Sequence, residues 1–327
     1  MQDSVFEKII WSVAGGKGGT GKSVITANIG ISLSLLGFRV IIIDGDLGGP
    51  NLHNYLNLKK PTYTINDFII NKISSLEDIA LETPIENLKI ISGGTELLGV
   101  ANLPFQKKQK IIRHINNLTA DYILVDLGAG TTYNTLDFFN LSNKGIIVSN
   151  PEPNAKYDAY YFLKNAIYRK ITNEFKKNRS MQAIINKFLK EHNNVIVEIP
   201  RFLSFLKSES DETNTLIEEF LSSYKPKLLM NKIRNKDQIR EGHWFVNLVK
   251  SFLLIDMEYA GHIVFDERVV HSSEKIIPFI FKYPKCDATK NIYQVITTLH
   301  NNNSYNSLKS FRNFKQELKN ENKKWVL

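Results

Sequence analysis

Short, unbroken apolar runs alternate along the chain with longer stretches whose apolar residues recur every three or four positions. The short runs, at 9–13, 40–44, 88–92, 122–127, 145–149, 227–230 and 259–264, are mostly continuous Ile, Val and Leu. They predict strands buried on both faces, because a strand with one wet face alternates apolar and polar residues. The longer stretches, 23–36, 105–118, 155–174, 236–253 and 285–299, carry the helical period. Strand–helix alternation of this kind predicts βαβ units and a mainly parallel, doubly wound α/β sheet with helices on both faces. Residues 175–225 hold several helical patterns and no convincing buried strand. The expectation is a domain spanning 1–300, interrupted by a helical insertion at about 171–224. A polar break at Asn301–Asn303 then precedes a final helix within 301–327.

The chain has 327 residues, 43% apolar and 23% charged, which is ample for a large core and unlike a disordered chain. Its single cysteine, Cys286, excludes an intramolecular disulfide, a cysteine-built zinc site and an iron–sulfur cluster held by this chain's own thiols. One thiol also suits a reducing compartment. No apolar run approaches the roughly 18 residues that cross a bilayer, and the N-terminus does not read as a signal peptide. The expected location is therefore the cytoplasm. The seven histidines show no metal-binding spacing, and Gly-x-Ser-x-Gly is absent.

Charge changes the picture only when it is divided. Residues 1–150 carry 13 basic and 13 acidic side chains, so the net +9 lies entirely in the second half. It gathers at 164–190, with eight basic residues and one acid, and at 301–327, with six and two. Such clusters suit an anionic partner, nucleic acid or acidic lipid, and a solvated face has the same composition.

The candidate chemistry follows the first predicted strand. Gly16 to Ser23 fits G-x-x-x-x-G-K-[ST] and opens into a helical run. Glycines at 16, 18, 19 and 21 let the backbone curl its N–H groups around phosphate oxygens, and the helix adds its positive N-terminal end. Lys22 would reach the β- and γ-phosphates of a nucleotide, and the Ser23 hydroxyl would bind Mg²⁺. Gly16, Gly18 and Gly21 also fit G-x-G-x-x-G, the dinucleotide fingerprint, with Asp44 near the place of a ribose-binding acid. The Lys22–Ser23 pair, Asp126 at the end of a later buried strand and a second lysine at 17 favour the phosphate loop.

Lys17-Gly18-Gly19-Thr20-Gly21-Lys22-Ser23 resembles the deviant Walker A motif of the MinD/ParA ATPases. That resemblance implies a P-loop NTPase fold, ATP and Mg²⁺ as ligands, and an ATP-bound homodimer in which Lys17 acts on the partner's phosphates. Asp44-Gly45-Asp46 resembles the family's switch I, which assigns Asp46 to the attacking water and Asp44 to the Mg²⁺ surroundings. Asp126-Leu127-Gly128-Ala129-Gly130 resembles Walker B and switch II, with Asp126 holding Mg²⁺ through water. Asn231 stands where the family reads the adenine edge. The stretches 46–53, 151–160 and 266–269 are similar to the FlhG subgroup, MinD-like regulators of flagellar number. Residues 171–224 lack a counterpart in the family's shorter members.

The implied function is a slow ATPase switch that controls the position or number of a cellular structure and responds to an activating protein partner. A ParA-type, DNA-binding partition ATPase is the alternative, with the 164–190 cluster on phosphates. In the tail, Leu308, Phe311, Phe314, Leu318 and Trp325 form a helical stripe beside six basic residues. This is the pattern of an interfacial helix, so peripheral attachment to an anionic membrane is expected in the ATP-bound state.

Overall fold

Within each apolar run, successive residues face opposite sides of one sheet. In β1 (Ile9–Ala14), Trp11 and Val13 join one buried cluster and Ala14 joins the other. In β2 (Val40–Asp44), Val40 and Ile42 face the first cluster, while Ile41 and Ile43 face the second. The period of two is thus present in runs whose polar residues are too few to reveal it, because both faces are covered.

The computed structural model describes residues 8–59, 61–94, 103–193, 198–301, 314 and 316–319. The remaining strands are β3 (Leu81–Glu82), β4 (Leu88–Ile91), β5 (Tyr122–Asp126), β6 (Ile146–Ser149), β7 (Lys227–Ile233) and β8 (Glu258–Val264). They lie in the order β3-β4-β2-β5-β1-β6-β7-β8, and every pair is parallel except β3 with β4. The chain crosses over β1 between β5 and β6. A crevice therefore opens at the carboxyl end of β1, where ligands settle in open α/β sheets.

One face is covered by α1 (Lys22–Leu35). The other carries α2 (Ile65–Ile69), α3 (Phe105–Asn117), α4 (Tyr133–Phe139) and α5 (Pro153–Glu174). After α5 come α6 (Arg179–Glu191), α7 (Ile199–Ser208) and α8 (Asp211–Ser223), which occupy the predicted insertion. Their Met181, Phe188, Phe202, Leu206 and Phe220 are buried in the same cluster as α5, so they extend its core. With α9 (Lys236–Leu253) they complete that face. The chain then passes through α10 (Glu267–Glu274), α11 (Phe279–Lys282) and α12 (Asp287–Asn301), and α11 and α12 pack on the α1 side.

Among the described residues, no helix is long and apolar enough to cross a membrane. Most of the expected C-terminal helix, including Leu308, Phe311 and Trp325, lies outside the described residues. Phe314 and Leu318 are described, and both are fully buried in the α1–α12 cluster, with the Phe314 ring 5.2 Å from that of Tyr293. This part of the stripe meets the protein itself. An apolar stripe beside a basic face has one sequence pattern whether it covers lipid or a neighbouring helix.

Candidate functional site

The loop after β1 curls because its glycines allow it. Gly19 and Gly21 hold φ of +78° and +93°, in the left-handed region. Gly16 is constrained differently: a Cβ there would collide with the backbone of Asp158 and Ala159 in α5. Gly21 caps α1, whose first turn carries no acid, so the helix presents an uncompensated positive end to the loop's interior.

Lys22, the first residue of α1, is 8% exposed. Burial lowers its pKa, and the charges of Asp126 and Asp46 oppose that shift. Next to it, the Ser23 hydroxyl donates to Asp126 Oδ2 at 2.6 Å. One turn along, Thr26 donates to Asp126 Oδ1 at 3.1 Å. Asp126 ends β5 and lies in register with Asp44 at the end of β2. Burial pushes Asp44 up to about 7, against hydrogen bonds from the Leu52 and Asp46 amides. Burial likewise pushes Asp126 up to about 6, against the Ser23 bond and the Lys22 charge. Two enclosed carboxylates side by side favour protonation or a cation.

Asp46 is half-buried and accepts from the amides of Gly48 and Gly49, each at 3.2 Å. A Cβ on Gly128, in the loop after β5, would stand 3.0 Å from the Asp46 carboxylate, so the loops after β2 and β5 are in contact here. Asp46 lines a cleft of about 490 Å³ together with Gly18, Gly19, Gly21, Lys22 and Ser23. The opposite wall comes from Asn231 and Lys232 in β7 and from Phe265 and Asp266 after β8. Asn231 Nδ2 donates to the Thr20 carbonyl at 2.7 Å, which leaves Oδ1 as its available acceptor. Lys17 is outside this lining: its ammonium pairs with Glu152 at 3.4 Å, and both side chains are exposed.

The residues present fit a Mg²⁺–nucleotide. The Thr20 hydroxyl is buried in the loop without a hydrogen-bond partner, an orphan that a bound phosphate can satisfy. Ser23, Asp126 and Asp44 offer only oxygen, the donor Mg²⁺ selects. Among the described residues, no group of three or more His, Cys, Asp or Glu could hold a metal ion without other ligands. A Mg²⁺ shared between one hydroxyl, water and phosphate needs no such cage. Cys286 is fully buried beside Thr289 and is absent from the cleft.

The structure thus gathers Gly18, Gly19, Gly21, Lys22, Ser23, Asp46 and Asn231 around one cleft, with Asp44 and Asp126 beneath it and Lys17 outside. Thr26 and Lys232 belong to the same assembly and were not singled out from the sequence. Thr26 could have been found from its spacing, one helical turn after Lys22. Lys232 had no signal beyond following Asn231.

Fold, loop and carboxylates together define a P-loop NTPase. Residues 6–166 match the family model described as ParA: NUBPL iron-transfer P-loop NTPase. The chain is 33% identical over 162 residues to the flagellum site-determining protein YlxH of Helicobacter pylori, covering 47% of this chain and 52% of the other. It is 30% identical over 148 residues to an uncharacterized ATP-binding protein of Methanocaldococcus jannaschii, covering 45% and 55%. The chain spans about half the length of these curated relatives. In fold it is similar to the Pyrococcus furiosus cell division ATPase MinD, with a TM-score of 0.61 over 90% of this chain and 99% of that one, at 17% identity. Over residues 6–166 the chain matches the P-loop NTPases of the ParA/MinD family, and its fold as a whole is MinD-like.

Proposed function

We propose that this protein is a Mg²⁺-dependent ATPase switch that dimerises on ATP and controls the position or number of a cellular structure such as the flagellum. The carrying observation is the separation of two lysines in one loop: Lys22 is enclosed near Asp126 and Asp46, whereas Lys17 is exposed at Glu152. A lysine on the outside of its own cleft has the placement needed to serve a second copy. Support for the flagellar reading comes from the likeness to the site-determining protein YlxH.

In this reading, the loop amides and Lys22 bind the β- and γ-phosphates. Ser23 and Asp126 would hold the metal, which would supply neutralising charge to the transferred phosphoryl group. Asp46 orients the attacking water, and its contact with Gly128 ties that orientation to switch II. Asn231 Oδ1, as an acceptor, suits the amino group of adenine and opposes the carbonyl of guanine. Lys17 adds its charge to the partner's phosphates, so turnover waits for dimerisation. The DNA-partition alternative has less support. Within the 164–190 cluster, Arg169 pairs with Asp137, Lys170 bonds the Asn140 carbonyl and Lys187 pairs with Glu209.

The test is titration of Mg·ATP into the protein, with turnover and light scattering followed together. The expected result is binding, a slow ATP-dependent dimer and loss of about a hundredfold or more in affinity in Lys22→Ala. Equal affinity in wild type and Lys22→Ala would remove the assignment.

A further inference from the structure

β7 does not stay regular to its end. Its register against β8 shifts between Met230 and Ile233, and inside that irregularity Lys232 holds φ +59°. A lysine in the left-handed region is strained, because its Cβ crowds the backbone. Successive residues of a regular strand point to opposite faces. Here two successive side chains reach the same loop. Asn231 donates to the Thr20 carbonyl at 2.7 Å, and Lys232 Nζ donates to the Gly19 carbonyl at 2.8 Å. The strained conformation is what brings the second donor to the loop.

We propose that Lys232 is a positioning residue that clasps the phosphate loop from β7 and aims its amides. The proposal rests on the ATPase reading above for its ligand. In a planar trans peptide, a carbonyl and the next residue's N–H point in opposite directions. Holding the Gly19 and Thr20 carbonyls toward β7 therefore turns the N–H groups of Thr20 and Gly21 away from β7, toward the loop's interior. Packing does not hold the Gly19 side of the arc, since a Cβ at Gly18 or Gly19 would meet nothing within 4 Å. Both Gly19 and Gly21 are in the flexible left-handed region, so this arc has many alternatives to exclude. Lys232 also lines the cleft and brings a positive charge to a phosphate site.

The discriminating variant is Lys232→Asn. Asparagine tolerates the left-handed region, so the fold is retained, but its short side chain loses the ammonium. The expected result is an unchanged or higher melting temperature, about tenfold weaker Mg·ATP binding, and recovery of most of that affinity in Lys232→Arg. Amide hydrogen exchange on the nucleotide-free protein gives a second reading that does not depend on ATP. Thr20 and Gly21 should exchange faster in Lys232→Asn than in wild type. If wild type binds no Mg·ATP, the ATPase reading fails and exchange alone judges the clasp. Wild-type exchange rates at Thr20 and Gly21 in Lys232→Asn overturn it, as does unchanged affinity in a protein that binds ATP.

Discussion

Asp46, Asp44 and Asp126 lie close together and differ in how far water reaches them. Asp46 is partly exposed and hydrogen-bonded by two glycine amides, which suits a group that must meet a water molecule. Asp46→Ala should bind ATP and stop at the next step, so gel filtration should show a dimer that persists for hours after ATP is added. A monomer that binds ATP normally would count against the dimer. The two buried carboxyls make a different prediction. Both have folded pKa values above the ordinary carboxylate value, at about 7 and about 6. Between about pH 4 and 7 the folded protein therefore binds more protons at these sites than the unfolded chain does, and stability falls as pH rises. In metal-free protein, the melting temperature of wild type relative to Asp126→Asn should drop from pH 5 to pH 8. Saturating Mg²⁺ and nucleotide should reverse much of that drop. A pH-independent difference would mean that Asp126 is not held protonated by its burial.

At the scale of elements, legibility followed continuity of the apolar signal. The seven predicted strands appear within a few residues of their expected limits, because runs such as 40–43 are apolar throughout. β3 was not foreseen: it has two exposed residues paired at the sheet edge, too few to show a period. α4 was missed for another reason. It is buried on almost every side, and its Asp137 sits in an ion cluster with Lys108 and Arg169, so no apolar stripe marks it. The loop glycines, Lys22, Ser23 and Asp126 were readable because phosphate chemistry demands them in order, whereas Lys17, Asp44 and Asp46 came from the family resemblance. The break in β7 was not, because a positive φ at a lysine leaves no mark in sequence. Close packing between elements gives a test. Gly16→Ala would drive a methyl group into the start of α5, so chemical denaturation should show a loss of about 1–3 kcal/mol, with weaker ATP binding. Stability equal to wild type would show that α5 yields without cost.

For the whole molecule, the two faces of the sheet carry separate apolar clusters, and two described residues of the C-terminal segment join one of them. Phe314 and Leu318 are fully buried there with α1 and α12. A chain cut after Asn303 should therefore lose stability as well as the basic tail, by about 2–5 kcal/mol for each buried large side chain removed. Thermal unfolding of that chain measures the loss, and an unchanged midpoint would show that the two side chains are dispensable. Membrane attachment is better tested by flotation of Lys323→Glu/Lys324→Glu protein on anionic vesicles with ATP, since the buried anchors stay in place. The parallel sheet has one more consequence, and it is practical. Among the described residues the groups of the site lie along the rim where strands end, so the rim where strands begin is the place for a reporter. The turn at Gly37, between α1 and β2, has open space around it. A fluorescent tag spliced there would sit at the opposite end of α1 from the phosphate loop, and the protein could be tracked in a living cell with the loop undisturbed.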